Sequence, residues 1–199
     1  HRLRMTKDYA INPFDTQLGC RYPLPNEKAF LVNFLSLLGT PVGSGSSPEG
    51  LADIAARVVD EVYARFDDKK IANSAPKQYV HGEDFEVDEA LRSRGIIVPA
   101  SGLTWWDVVD ALFERGAERE AILAQRRAVP LLEDLQLVLR DDRIVNNFGT
   151  AMIGTGEKVI DVFARMITAV SAAYPLLTVP TRFDIGAARV VSLDLAKVA

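Results

Sequence analysis

The hydrophobic pattern of this chain changes period near its C-terminal end, and that constrains its fold more than any single motif. Between residues 26 and 176 apolar side chains recur at three- and four-residue intervals, whereas residues 181–185 and 189–195 alternate by twos and Tyr9–Asn12 reads as a short strand near the other end. A period of 3.6 puts an apolar stripe on one face of a helix; a period of two lines one face of a strand. The pattern predicts a mainly α chain of six or seven helices, with short strands at its two ends.

The individual elements follow from spacing and punctuation. Tyr9-Ala10-Ile11-Asn12 reads as a strand ended by Pro13, because proline has no N–H for a ladder. Phe30, Leu31, Phe34, Leu35, Leu37 and Leu38 share a broad helix face, with Asn26 as the expected N-cap and Gly39 as the stop. PVGSGSS, residues 41–47, has linker composition. Ser46-x-x-Glu49 then fits a capping box for a helix carrying Leu51, Ile54, Val58, Val62 and Phe66, and Asp67-Asp68-Lys69-Lys70 reads as its solvated end. Asp84–Arg94 reads as a short helix stopped by Gly95, and Ile96-Ile97-Val98 before Pro99 as an extended connector. Thr104-x-x-Asp107 caps a helix that Gly116 ends. The long pattern from Glu118 to Arg140 contains Pro130, which either kinks one helix or opens a second; two pieces are expected. Val159, Phe163, Met166 and Val170 align on a helix from Glu157 to Ala173, stopped at Tyr174-Pro175. Residues 181–185 and 189–195 alternate by twos around Gly186-Ala187-Ala188, the pattern of a β-hairpin.

This order implies three segments: residues 1–25 as a strand and turn, 26–176 as a helical domain, and 177–199 as the hairpin. Strands at both ends of a helical stretch are what a helical insertion looks like when it is cut out with stubs of its parent sheet. The opening His1-Arg2-Leu3-Arg4-Met5 and the closing Leu195-Ala196-Lys197-Val198-Ala199 fit an excised segment. Charge enters only as an exclusion: a net charge of −4 and a pI near 5.3 argue against nucleic-acid binding led by electrostatics. A single cysteine, Cys20, excludes an internal disulfide framework.

Few residues stand out as chemical candidates. Gly149 to Lys158 superficially resembles a phosphate loop, but Thr155 stands where the lysine of G-x-x-x-x-G-K-[ST] belongs, and Lys158 comes too late. An inter-helix loop is the expectation there. His81, beside Glu83 and Asp84, has too few companions for a metal site, and no G-x-S-x-G accompanies it. Cys20 beside Arg21 reads as a small residue in a turn, and Arg126-Arg127 as a solvated helix face. Of the paired tryptophans, Trp105 is expected in the core, and Trp106 is the candidate exposed interface anchor. Arg182 and Arg189 flank the expected hairpin and are the candidates for contacting a neighbour's phosphates in trans, as arginine fingers do. No catalytic residue and no metal ligand is assigned.

The run from Ala10 to Pro25 (AINPFDTQLGCRYPLP), with AFLVNFLSLL at 29–38 and FDIGAARVVSLDL at 183–195, resembles the IcmB/DotO family. These are large ATPases of Dot/Icm-type type IV secretion systems and related conjugation machines. The resemblance implies a RecA-like P-loop parent with Walker A before this segment and Walker B after it. The chain would then be the helical accessory domain between them, coupling ATP hydrolysis to substrate or partner engagement. ATP and Mg would belong to the parent, and this segment would bind no cofactor. Partners would be other subunits of a secretion or conjugation machine, with the parent oligomeric. The location would be the cytoplasmic face of a bacterial inner membrane, which the chain would meet only indirectly. The rival expectation is a stand-alone helical adaptor without motor activity.

Overall fold

A computed structural model of the chain describes residues 2–4, 10–38, 50–67, 73–99, 101–153, 156–182 and 192–194. The chain is mainly α-helical and divides into two compact units. One comprises 1–14, 25–62 and 131–199; the other comprises 15–24 and 63–130. These boundaries differ from the three segments expected from the period changes.

The first unit contains α1 (Pro25–Leu38), most of α2 (Leu51–Arg65), α6 (Leu135–Val138), α7 (Asp142–Phe148) and α8 (Val159–Ala173). Helix α8 buries Val159, Phe163, Met166, Ile167 and Val170, the stripe that its spacing predicts. It packs on α6 and on the 3-10 turn Leu132–Asp134. Across that contact the Gln136 amide donates to Ala164 O at 2.8 Å, so a polar side chain at the helix seam is satisfied. Charge ties α2 to its neighbours within the unit. Glu61, 8% exposed, accepts from Arg57 at 2.8 Å and from Arg143 at 3.2 Å, and Lys28 reaches Asp60 at 2.6 Å.

The start and end of the described helical stretch meet in this unit. Arg182 N donates to Ala10 O at 3.2 Å, and Asn12 N donates to Thr181 Oγ1 at 2.8 Å. Beyond them, β1 (Arg2–Arg4) runs parallel to β2 (Ser192–Asp194) with Leu3 opposite Leu193. This pairing is three residues deep and does not amount to the expected terminal sheet. Residues 10–12 form no strand, because Ala10 and Asn12 spend their backbone groups on the 181–182 segment rather than on a ladder. Residues 183–191, where most of the hairpin was expected, lie outside the described residues.

The second unit packs α4 (Trp105–Glu114) on α5 (Glu118–Ala128), with α3 (Phe85–Ser93) also against α5. Helix α5 presents Ala121, Ala124 and Ala128, all fully buried. These small side chains let the bulky Trp105, Val109 and Leu112 of α4 share one core with them. The boundaries follow the sequence signals. Asp84 caps α3 through Val87 N, Thr104 and Asp107 form the reciprocal capping box of α4, and Gly95 and Gly116 take φ +64° and +70° at the stops. Val129, at ψ 160°, ends α5 one residue before Pro130, which excludes the helical region for its predecessor. The chain then resumes as a 3-10 turn and α6, so Pro130 lies between two pieces rather than in the first turn of the second.

Two expectations on helix ends need correction. Helix α1 begins at Pro25, so Asn26 is inside its first turn and not its cap. Asp67 is not solvated: it is 4% exposed, with Arg21 Nε 3.9 Å from its carboxylate. Ser46 and Gly39 lie outside the described residues.

Candidate functional site

The polar chemistry of the second unit is concentrated where the loop 15–24 lies on α5 and α4. Gln125 projects from the alanine face of α5 and is 3% exposed. Its Oε1 accepts from Gly19 N at 2.8 Å. Its Nε2 lies 2.8 Å from Gln17 O, 3.1 Å from Thr16 O and 2.9 Å from Thr16 Oγ1. One amide thus pins four groups of the turn, and Thr16 Oγ1 closes it by donating to Cys20 O at 2.6 Å. Gly19 sits at φ +81°, where an L side chain would be strained.

Arg21 leaves this turn and lies over the Trp106 ring, 4.7 Å from its centroid, while its Nη2 donates to Asp110 at 2.8 Å. Tyr22 bonds Asp67 through its hydroxyl; burial first, then that bond and the carboxylate's charge, push the phenol up to about 12, with Arg21 pulling the other way. Trp106 is therefore not an exposed interface anchor. It is 3% exposed and donates from Nε1 to Phe66 O at 2.9 Å. Adjacent helix positions point about 100° apart, and the apolar arc of α4 is broad enough to bury both tryptophans.

A second cluster sits at the start of α3. Asp88 accepts from the Tyr79 hydroxyl at 2.5 Å and from Gly82 N at 2.8 Å, and His81 Nδ1 lies 3.2 Å away. Burial, then the bond and charge of Asp88, raise the Tyr79 phenol above its ordinary value. The His81 side chain is exposed, so the cluster fixes the loop before α3 rather than enclosing a reaction centre. Arg127 docks on the same loop, donating to Glu83 O at 2.8 Å, which corrects its reading as a solvated residue. Among the described residues no group of three His, Cys, Asp or Glu could hold a metal ion.

Arg182 is exposed and anchored through its backbone, and Arg189 lies outside the described residues. Among the described residues of the Gly149–Lys158 segment, amides are spent on backbone carbonyls: Gly149 N donates to Val145 O, Ala151 N to Phe148 O, Ile153 N to Glu157 O and Gly156 N to Ile153 O, while Met152 pairs with Lys158 as an antiparallel bridge; residues 154 and 155 lie outside the described residues. A phosphate loop needs such amides free. Cys20 lies half-buried in its turn, its N–H on Gln17 O at 2.9 Å.

Sequence reasoning missed Gln125, Asp67 and Asp88. For Gln125 a signal was present: a glutamine between Ala124 and Ala128 on an otherwise apolar stripe must find partners when buried. Compared with protein-family models, with characterised proteins and with solved structures, the chain matches none.

Proposed function

We propose that this chain is a helical accessory domain of a type IV secretion or conjugation ATPase, with the catalytic machinery outside it. What supports the reading is the meeting of residues 10–12 with 181–182, since a segment inserted into a parent fold must leave and re-enter at neighbouring points. The resemblance is most specific over its opening run, Ala10 to Pro25, and within that run Gln125 bonds Thr16, Gln17 and Gly19. On this reading the domain binds no nucleotide and transmits the motor's conformational cycle to substrate or to other subunits. Arg182 and Arg189 are the proposed contacts to a neighbour's phosphates, and the parent sheet takes up the two ends.

A stand-alone interaction adaptor is the second reading, and helix α1 favours it. Ala29 to Leu38 contains no charged residue, yet Phe30 and Leu37 are exposed. Expression of the whole reading frame separates the two. Steady ATP turnover by the full product, with none from residues 1–199, supports the motor reading; an inactive full product supports the adaptor.

A further inference from the structure

A cavity of about 190 Å³ in the second unit lies between the 15–24 turn and α5, and its lining includes Asp15, Leu18, Ile122, Gln125, Arg126 and Val129. Residues 122, 125, 126 and 129 follow the i, i+3, i+4, i+7 spacing of one helix face, so α5 forms one wall and the turn the other. The polar groups of Gln125 are spent on the turn. Arg126 is what the packing leaves over. Among the described residues four arginines are half-buried. Arg21 bonds Asp110, Arg127 bonds Glu83 O and Arg65 is engaged as well, whereas Arg126 has neither a hydrogen bond nor an ion pair. The end of α5 offers it no acceptor: Gln125 O takes Val129 N and Val129 O takes Lys77 Nζ, both at 3.0 Å. A guanidinium presents a planar fork of N–H donors that matches the oxygens of a carboxylate or a phosphate. Two features choose between them. Asp15 on the same lining repels a second negative charge, and the aliphatic side chains of Leu18, Ile122 and Val129 would gain nothing from phosphate, which has no apolar part. The cavity is smaller than the roughly 300–1,000 Å³ that takes a drug-sized molecule, so its occupant is small.

We propose that this cavity binds an aliphatic monocarboxylate, either a small free acid or the carboxylate of a chain terminus whose last residue is aliphatic. Arg126 takes the two carboxylate oxygens with parallel N–H···O bonds. The branched alkyl body covers Leu18, Val129 and Ile122, the last of which is 39% exposed in the empty cavity. The unpaired cation selects for the charge, and the aliphatic wall selects for the body attached to it. The proposal stands on the second unit alone and holds for a motor domain and an adaptor alike.

The probe is sodium isovalerate, titrated into the ¹⁵N-labelled chain at constant ionic strength. Saturable amide shifts are expected at Leu18, Gly19, Ile122 and Arg126, with a Kd in the millimolar range. Isovaleramide, which has the same shape without the charge, should bind about tenfold more weakly or worse, and so should inorganic phosphate. Arg126→Gln should weaken isovalerate binding by about tenfold or more. The comparison of isovalerate with isovaleramide is made on the native chain and decides the question even if that variant misfolds. Acetyl-glycyl-leucine with a free C-terminus separates the two sources: binding tighter than that of isovalerate assigns the site to a chain terminus, and weaker binding assigns it to a free acid. Equal binding of isovaleramide, unchanged binding by a folded Arg126→Gln chain, or no saturable shift up to about 50 mM isovalerate overturns the proposal.

Discussion

Replacing Gln125 by glutamate keeps the shape of the side chain and removes its only N–H donors. In the native chain Nε2 serves Gln17 O and Thr16 O, while Thr16 Oγ1 already donates to Cys20 O and cannot turn to help. A carboxylate there would face two carbonyl oxygens in a site 3% exposed. Leaving buried acceptors unsatisfied costs about 1–3 kcal/mol each, so the variant should lose about 3 kcal/mol at pH 7. The loss depends on pH. The fold favours the protonated acid, so the variant's carboxyl titrates above the ~4.3 of an unfolded chain. Its contribution is intact below about pH 4 and disappears as pH rises through the folded value. With most of the loss assigned to the charged form, that value lies roughly two units up, near pH 6. At pH 4 one donor returns, and a deficit of about 1 kcal/mol remains. Both tryptophans, Trp105 and Trp106, belong to the second unit, so their fluorescence in urea reports the stability of the part that holds the clamp. A loss below about 0.5 kcal/mol at pH 7, or one independent of pH between 4 and 7, would refute the clamp.

Trp106→Phe removes the donor to Phe66 O and should cost about 2 kcal/mol in the same urea assay, without changing sedimentation behaviour, because the residue is in the core. In an alkaline titration read at 295 nm, the Tyr22 phenol should ionise at about 12. Its folded value lies above the unfolded one, so its contribution is present below pH ~10 and is lost between ~10 and ~12. Tyr22→Phe should remove that late component. Gly116→Ala places a Cβ at φ +70° and should destabilise by about 1 kcal/mol, checked by the urea midpoint.

What could be read from the sequence is what depends on neighbours along the chain. The cap at Thr104, the stops at Gly95 and Gly116, the break at Pro130 and the buried stripe of α8 all rest on spacings within one turn or a few. What escaped depends on distant partners. Asp67 looked like one charge in a solvated run, but Arg21 and Tyr22 come to it from the turn far upstream. Trp106 looked available for a partner, yet its indole N–H is taken by a carbonyl 40 residues earlier. The Gln125 clamp lies between these cases: the polar interruption of the alanine stripe was visible, but its partners, more than 100 residues away, were not. At the N-terminus the apparent strand at 10–12 misled because Asn12 and Ala10 bond individually across to Thr181 and Arg182, a pairing that leaves no alternation to read.

The measurement that tests the account most directly is the sequence of the reading frame on both sides of this chain. The account predicts a G-x-x-x-x-G-K-[ST] loop upstream and, downstream, a hydrophobic strand ending in an aspartate that can hold magnesium. A reading frame that contains neither would contradict it and leave the helical adaptor as the better description.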